Sequence, residues 1–270
     1  MNPAARVDPF AARKAAFDLL YRSVGDSPTL RQIWRDAYGD DYPEEAEPLS
    51  YVTRPQLELV TRLLQLAPGG RLLDLGCGMG GPGRFVARRT GAHLVGVDIS
   101  PVAIAQASAR AARAGPAMRC RYQLGSADDT RLPSSSQGGA LSIDVLQIVP
   151  DPQAALAEVA RVLAVGGRFA FTSWESDPAP GAVPPHVAAR AIPDYRLHLE
   201  RAGFGIEYYE HPPAGLLPQL AVYRGILAHG AALRIELGAA YDLLAEEAEH
   251  DPEWLRRGRV RRVIAVARRL

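Results

Sequence analysis

The chain has 270 residues, 47% of them hydrophobic, with 31 Lys and Arg against 30 Asp and Glu, a net charge of +1. That is the composition of a globular protein without a global basic field, so nucleic acid is not expected as a partner. No apolar stretch approaches the roughly 20 residues that cross a bilayer, and the N-terminus has no apolar signal core, so no membrane partner and a cytoplasmic setting are expected. Cys77 and Cys120 lack CxxC spacing and the six histidines show no HxH or HxxxH pairing, so neither a disulfide framework nor a metal site is expected. Lys14 is the single lysine, which sets aside Schiff-base catalysis.

In chain order, residues 1–66 read as a helical lead-in. Phe17, Leu20, Tyr21 and Val24 recur at helical spacing, as do Leu30, Ile33, Trp34 and Tyr38. The acidic, proline-punctuated stretch Gly39 to Pro48 reads as a loop, and Val52 to Leu66 as an amphipathic helix. From residue 70 to 175 strand and helix patterns alternate. Strands are expected at Arg71–Leu75, His93–Val97, Arg119–Leu124, Ala140–Leu146 and Arg168–Trp174. Helices are expected at Gly83–Thr90, after Ser100-Pro101, and after Asp151-Pro152 up to Gly166-Gly167, the last two opened by a cap residue followed by proline. This alternation requires a parallel sheet covered on both faces. Residues 176–255 read as a substrate loop and helical cap, with helices near 194–202, 215–229 and 231–249 and a strand near 206–211. A terminal strand is expected within 256–270, flanked by the basic run Arg256 to Arg262. The expected fold is a Rossmann-like, doubly wound α/β domain whose seven-stranded, mostly parallel sheet ends in an antiparallel strand.

Gly76, Gly78 and Gly81 satisfy GxGxxG between a strand and a helix, where glycines let a cofactor approach the backbone and the helix N-terminus. Asp98, 20 residues beyond Gly78, can accept hydrogen bonds from both ribose hydroxyls. These two features suit NAD and S-adenosylmethionine alike. Asp74 discriminates: a carboxylate at the tip of the first strand repels a pyrophosphate and stabilises a cationic amino or sulfonium group.

With LLDLGCGMGGPGRFVA (72–87), LVGVDIS (94–100), LSIDVLQIVPDP (141–152), EVARVLAVGGRFAFTSWE (158–175) and LERAGF (199–204), the chain resembles a class I S-adenosylmethionine-dependent methyltransferase of the group acting on small molecules and natural products. YGDDYPEEAEPLSYVT (38–53) also resembles the helical lead-in of bacterial members. The resemblance implies S-adenosylmethionine as cofactor, leaving as S-adenosylhomocysteine. Cofactor contacts are implied at Thr53, Asp74, Gly76, Cys77, Gly78, Asp98 (ribose), Ile99 (adenine), Ser126, Ala127, Asp128, Asp144 and Gln147. Ser126 stands where relatives carry an acid, Ile148 where they often carry a polar residue, Gly138 where they often carry Asp, and Val165 where a proline is common.

Tyr21, Trp34 and Tyr38 become substrate-facing residues if the lead-in forms a lid. Glu175, at the C-terminal edge of the fifth strand, and His186, in the following loop, are the candidate general bases. Cys77 reads as a loop filler and the acidic run Glu246 to Glu249 as a solvated helix face. The expected activity is methyl transfer to a small-molecule acceptor. The alternatives are a relative repurposed for cyclisation or another conversion, an NAD-dependent oxidoreductase, and a non-catalytic binding module. Alanine-rich helices and the N-terminal extension permit a homodimer.

Overall fold

The computed structural model describes residues 9–46, 49–115, 119–177, 192–212, 216–256 and 260–270. The lead-in supplies α1 (Pro9–Ser23), α2 (Pro28–Tyr38) and α3 (Arg54–Leu64). The alternating core follows as β1 (Arg71–Leu75), α4 (Gly81–Thr90), β2 (His93–Asp98), α5 (Pro101–Arg113), β3 (Cys120–Leu124), β4 (Gln137–Ile143), α6 (Pro152–Val162) and β5 (Leu163–Ser176). The remainder forms α7 (Arg196–Arg201), β6 (Phe204–Glu210), α8 (Leu216–Ala228), α9 (Gly230–Leu237), α10 (Ala240–Arg256) and β7 (Val260–Arg269).

One seven-stranded sheet runs in the order β3-β2-β1-β4-β5-β7-β6. The β1–β5 neighbours pair parallel, and β7 pairs antiparallel with both β5 and β6. This is the expected Rossmann-like sheet with its antiparallel terminal strand. Strand alternation divides β1 between two cores. Leu73 and Leu75 pack under α6 and α7 with Phe169, Phe171 and Phe204. Leu72 faces the opposite layer with Leu57, Val60 and Phe85. A third core has no sheet in it. Leu30, Ile33 and Trp34 of α2 pack with Val222, Tyr223 and Ile226 of α8 and with residues of α9 and α10. Lead-in and cap therefore share one hydrophobic core above the strand tips, and that shared core roofs the site.

Three local readings change. The fifth strand begins at Leu163, pairing with Gln137, so Gly166 and Gly167 lie inside β5 and do not terminate the preceding helix. The stretch read as one helix over 231–249 is two, broken at Gly238 between α9 and α10. The basic run Arg256 to Arg262 is more than a flank of the terminal strand: its last residue, Arg262, lies within β7, is buried, and pairs with Asp144.

Candidate cofactor and acceptor site

The site lies where open α/β sheets bind ligands, outside the carboxyl ends of the parallel strands. A cavity of about 880 Å³ opens there between the glycine loop, the tip of β4, α1 and the helical cap. That is in the range of natural small-molecule sites, which run to about 1,000 Å³.

The loop after β1 forms one end. Gly76 and Gly78 have φ of +68° and +50°. A Cβ at Gly76 would lie 2.5 Å from Val145, and one at Gly78 would lie 3.0 Å from the Tyr21 hydroxyl. Any side chain at either position would meet both backbone strain and a neighbour. The Asp98 carboxylate closes the loop, accepting the Gly78 N–H at 2.9 Å through Oδ2 and the Ser100 N–H at 2.9 Å through Oδ1. Asp74 is buried at the strand tip, and its Oδ2 has no hydrogen-bond partner among the described residues. A buried carboxylate oxygen without a donor fits an arriving ammonium group, the chemistry of a methionine amino end.

Burial, and secondarily the neighbouring Asp98 charge, push the Asp74 carboxyl up to about 7, against opposing effects of the Gly83 N–H and the Arg84 cation. Burial likewise raises Asp98. The protonated acid is thus the form that favours the empty fold, and its contribution fades as pH rises from the unfolded value, about 4, through about 7. A cationic ligand reverses the preference and expels the proton on binding. S-adenosylmethionine affinity is therefore expected to strengthen between about pH 5 and pH 7, with the slope reduced in Asp74→Asn. Calorimetric titrations across that range check this; an identical slope in wild type and variant contradicts it.

Ile99, Ser126, Ala127 and Asp128 line the same cavity, and the Ser126 hydroxyl donates to Asp128 Oδ1, tying the serine to the acid two residues on. Asp144 sits just past β4 at φ +58°, in the left-handed region that non-glycine residues seldom occupy. Its carboxylate holds it there: Oδ1 accepts Thr172 Oγ1 at 2.8 Å and pairs with Arg262 Nη2 at 2.9 Å, and Oδ2 accepts Tyr51 N–H at 3.0 Å and Ser50 Oγ at 3.1 Å. Gln147 also lines the cavity. Its Nε2 donates to the Asp144 carbonyl and its Oε1 accepts from Ser173. Cys77 lines the loop with its thiol well above the ordinary range because of burial, which leaves it protonated and unsuited to nucleophilic work.

Other candidates do not reach the cavity. Thr53 caps α3 in a capping box with Gln56, so its hydroxyl is spent on the helix terminus. Tyr38 is buried behind Tyr51, donating to its carbonyl at 3.3 Å, whereas Tyr21 and Trp34 do line the cavity. Glu175 fails for a geometric reason. Trp174 and Ser176 face the cavity, so the period-two alternation of β5 turns Glu175 the other way. There it accepts the Tyr195 N–H at 3.0 Å and the Tyr209 hydroxyl, and meets His211 Nε2 at 2.6 Å. It is an internal clamp between β5 and β6, not a base at the site. His186 lies outside the described residues.

No local signal along the chain foretells the cap side of the cavity. Tyr51, Gln219, Tyr223 and Glu247 line it together. The Tyr51 hydroxyl donates to Glu247 Oε1 at 2.8 Å, the Tyr223 hydroxyl to the same atom at 3.0 Å, and Gln219 Nε2 to the Tyr223 hydroxyl at 2.7 Å. Glu247 is thus not part of a solvated helix face. A run of acids reads as exposed unless the helix phase against a distant partner is known. Among the described residues no group of acids, histidines and cysteines is arranged to hold a metal, and no helix is long and apolar enough to cross a membrane.

Strand order, the glycine loop, the Asp74 Oδ2 without a hydrogen-bond partner among the described residues and the loop-closing Asp98 fit a Rossmann-like domain for S-adenosylmethionine. Residues 73–171 match the family described as Methyltransferase domain. A 24-methylenesterol C-methyltransferase 2 of Oryza sativa subsp. japonica is 38% identical over 122 residues, 45% of this chain and 34% of that protein. The 27-O-demethylrifamycin SV methyltransferase of Amycolatopsis mediterranei is 28% identical over 193 residues, 67% of this chain and 71% of that protein. The chain thus spans about a third of the rice protein and a larger share of the bacterial one. Among solved structures the [4+2]-cyclase SpnF superimposes with a TM-score of 0.68 at 24% identity, covering 80% of each chain. Residues 73–171 thus carry a methyltransferase domain, and the chain is similar to class I enzymes that take S-adenosylmethionine as cofactor. This similarity weighs against the NAD-dependent oxidoreductase reading.

Proposed function

We propose that the protein transfers the methyl group of S-adenosylmethionine to a compact, largely apolar small molecule enclosed between the strand tips and the helical cap. The observation that carries this reading is the continuity of one cavity from the glycine loop to Trp34, Trp174, Tyr223 and Leu244. One end has the groups for a methionine-type cofactor, and the other has aromatic and aliphatic walls suited to an apolar acceptor. The names of two relatives, a sterol C-methyltransferase and a rifamycin methyltransferase, support acceptors of this kind.

The bound cofactor supplies an activated methyl group. The protein's part is placement. Asp98 holds the ribose, Asp74 the amino group, and Ile99 packs against the adenine. The Asp144–Arg262 pair fixes the β4 tip and, through the Tyr51 N–H, the lead-in segment beside it. Apolar walls exclude water and align the acceptor for in-line attack, which gives proximity and desolvation without a strong base.

The second reading is a conversion without methyl transfer. It is supported by the likeness to a structure described as a cyclase and by Ile148 lining the cavity where relatives often carry a polar group. Mass spectrometry on extracts incubated with the protein and methyl-deuterated S-adenosylmethionine separates the two. Methyl transfer predicts one labelled methyl on an acceptor with stoichiometric S-adenosylhomocysteine. A converted product of unchanged mass without cofactor consumption favours the second reading.

A further inference from the structure

The cap-side polar cluster is out of keeping with its surroundings. In a cavity walled by Phe17, Trp34, Met79, Trp174 and Leu244, four polar side chains from three separate segments converge: Tyr51 from the lead-in between α2 and α3, Gln219 and Tyr223 from α8, and Glu247 from α10. The donors run one way, from Gln219 to Tyr223 to Glu247, with Tyr51 donating to the same carboxylate oxygen. Two acceptors remain. Gln219 is only 3% exposed, and its Oε1 has no partner among the described residues. Glu247 Oε2 receives no hydrogen bond from them either, because both tyrosines donate to Oε1. A buried amide oxygen without a donor is destabilising, a cost an incoming donor removes. Exchanging amide nitrogen and oxygen on Gln219 would not satisfy the side chain, since one of the two atoms would still lack a partner.

We propose that Gln219, Tyr223, Tyr51 and Glu247 form a recognition subsite for a hydroxyl group of the acceptor, which donates its single proton to one of the two free oxygens, Gln219 Oε1 or Glu247 Oε2. This rests on the small-molecule reading above and specifies the acceptor: an apolar body bearing a hydroxyl on its cap-facing side. A neutral hydroxyl is favoured over an ammonium group because the Glu247 charge is already met by two tyrosine donors. Tyr51 also links this subsite to the cofactor end, its backbone on Asp144 and its hydroxyl on Glu247, so an occupant of the subsite is positioned relative to the β4 tip.

The test is calorimetry on the full chain saturated with S-adenosylhomocysteine, using three probes: β-naphthol, its methyl ether, and β-naphthylmethylamine. β-Naphthol is expected to bind at least about tenfold more tightly than the ether, which keeps the ring and lacks the donor. In Gln219→Leu and Glu247→Gln that preference should shrink at least about threefold, through loss of naphthol affinity and not gain of ether affinity. S-adenosylhomocysteine binding by each variant shows that it is folded. Equal affinity for naphthol and ether, no naphthol binding, preference for the amine, or a preference unchanged in both variants overturns the proposal. Failure of the wild-type chain to bind S-adenosylhomocysteine would instead strike the cofactor assignment, so the two outcomes are distinguishable.

Discussion

Asp98→Ala is expected to weaken S-adenosylmethionine binding by about a hundredfold, the largest loss at the cofactor end from any one side chain. The carboxylate has two tasks. It accepts the Gly78 and Ser100 N–H groups at 2.9 Å each, which shapes the glycine loop and the start of α5. Its remaining lone pairs face the cavity, where two ribose hydroxyls can donate. Hydrogen bonds to a charged group contribute about 1.5–3 kcal/mol each, so losing the ribose pair alone removes roughly 3 kcal/mol, or two decades in affinity. Asp98→Asn keeps one acceptor oxygen and should fall between wild type and alanine. Titration of each variant checks the order, and wild-type affinity in the alanine variant contradicts the ribose role.

The second large effect is on stability. Asp144→Ala is expected to cost about 3–5 kcal/mol, because it strands the buried Arg262 cation without its counter-charge. The side chains of Arg262 and Asp144 are 3% and 7% exposed, so solvent offers little compensation. The substitution also removes the acceptor for Thr172, Ser50 and the Tyr51 N–H. Arg262 already has Nε and Nη1 without partners among the described residues, which makes its remaining carboxylate contact the more valuable. Pairing the change with Arg262→Met should recover at least about half of the loss, since an apolar side chain of similar length needs no counter-charge. Urea unfolding of the two single variants and the double variant measures this. A double variant as unstable as the sum of the singles contradicts the stranded-charge account.

The core of the fold was legible because it rests on local signals. Ser100-Pro101 and Asp151-Pro152 open α5 and α6 as cap-plus-proline pairs should, and a short apolar run ending in glycine marks β1. The placement of Asp74 and Asp98 beside the glycine loop was readable for the same reason: it follows from distance along the chain to that loop. Glu175 was misleading because its sequence position at the sheet edge is right while its side chain points to the wrong face, a one-residue parity that fixes everything about its environment. Thr53 resembled a cofactor contact but is consumed by its own helix. The Tyr51–Gln219–Tyr223–Glu247 cluster could not be read at all. Its members are separated by up to 196 residues and meet only because the lead-in and the cap share one core.

The central claim is that one cavity seats the cofactor on Asp74 and Asp98 and the acceptor against the cap. A crystal structure with S-adenosylhomocysteine tests it most directly. The account predicts the ribose hydroxyls on Asp98, the amino group within hydrogen-bonding distance of Asp74 Oδ2, and the sulfur facing open space bounded by Trp34, Tyr51 and Gln219. A ligand seated with its ribose away from Asp98, or with the cap side closed off from the sulfur, would contradict it.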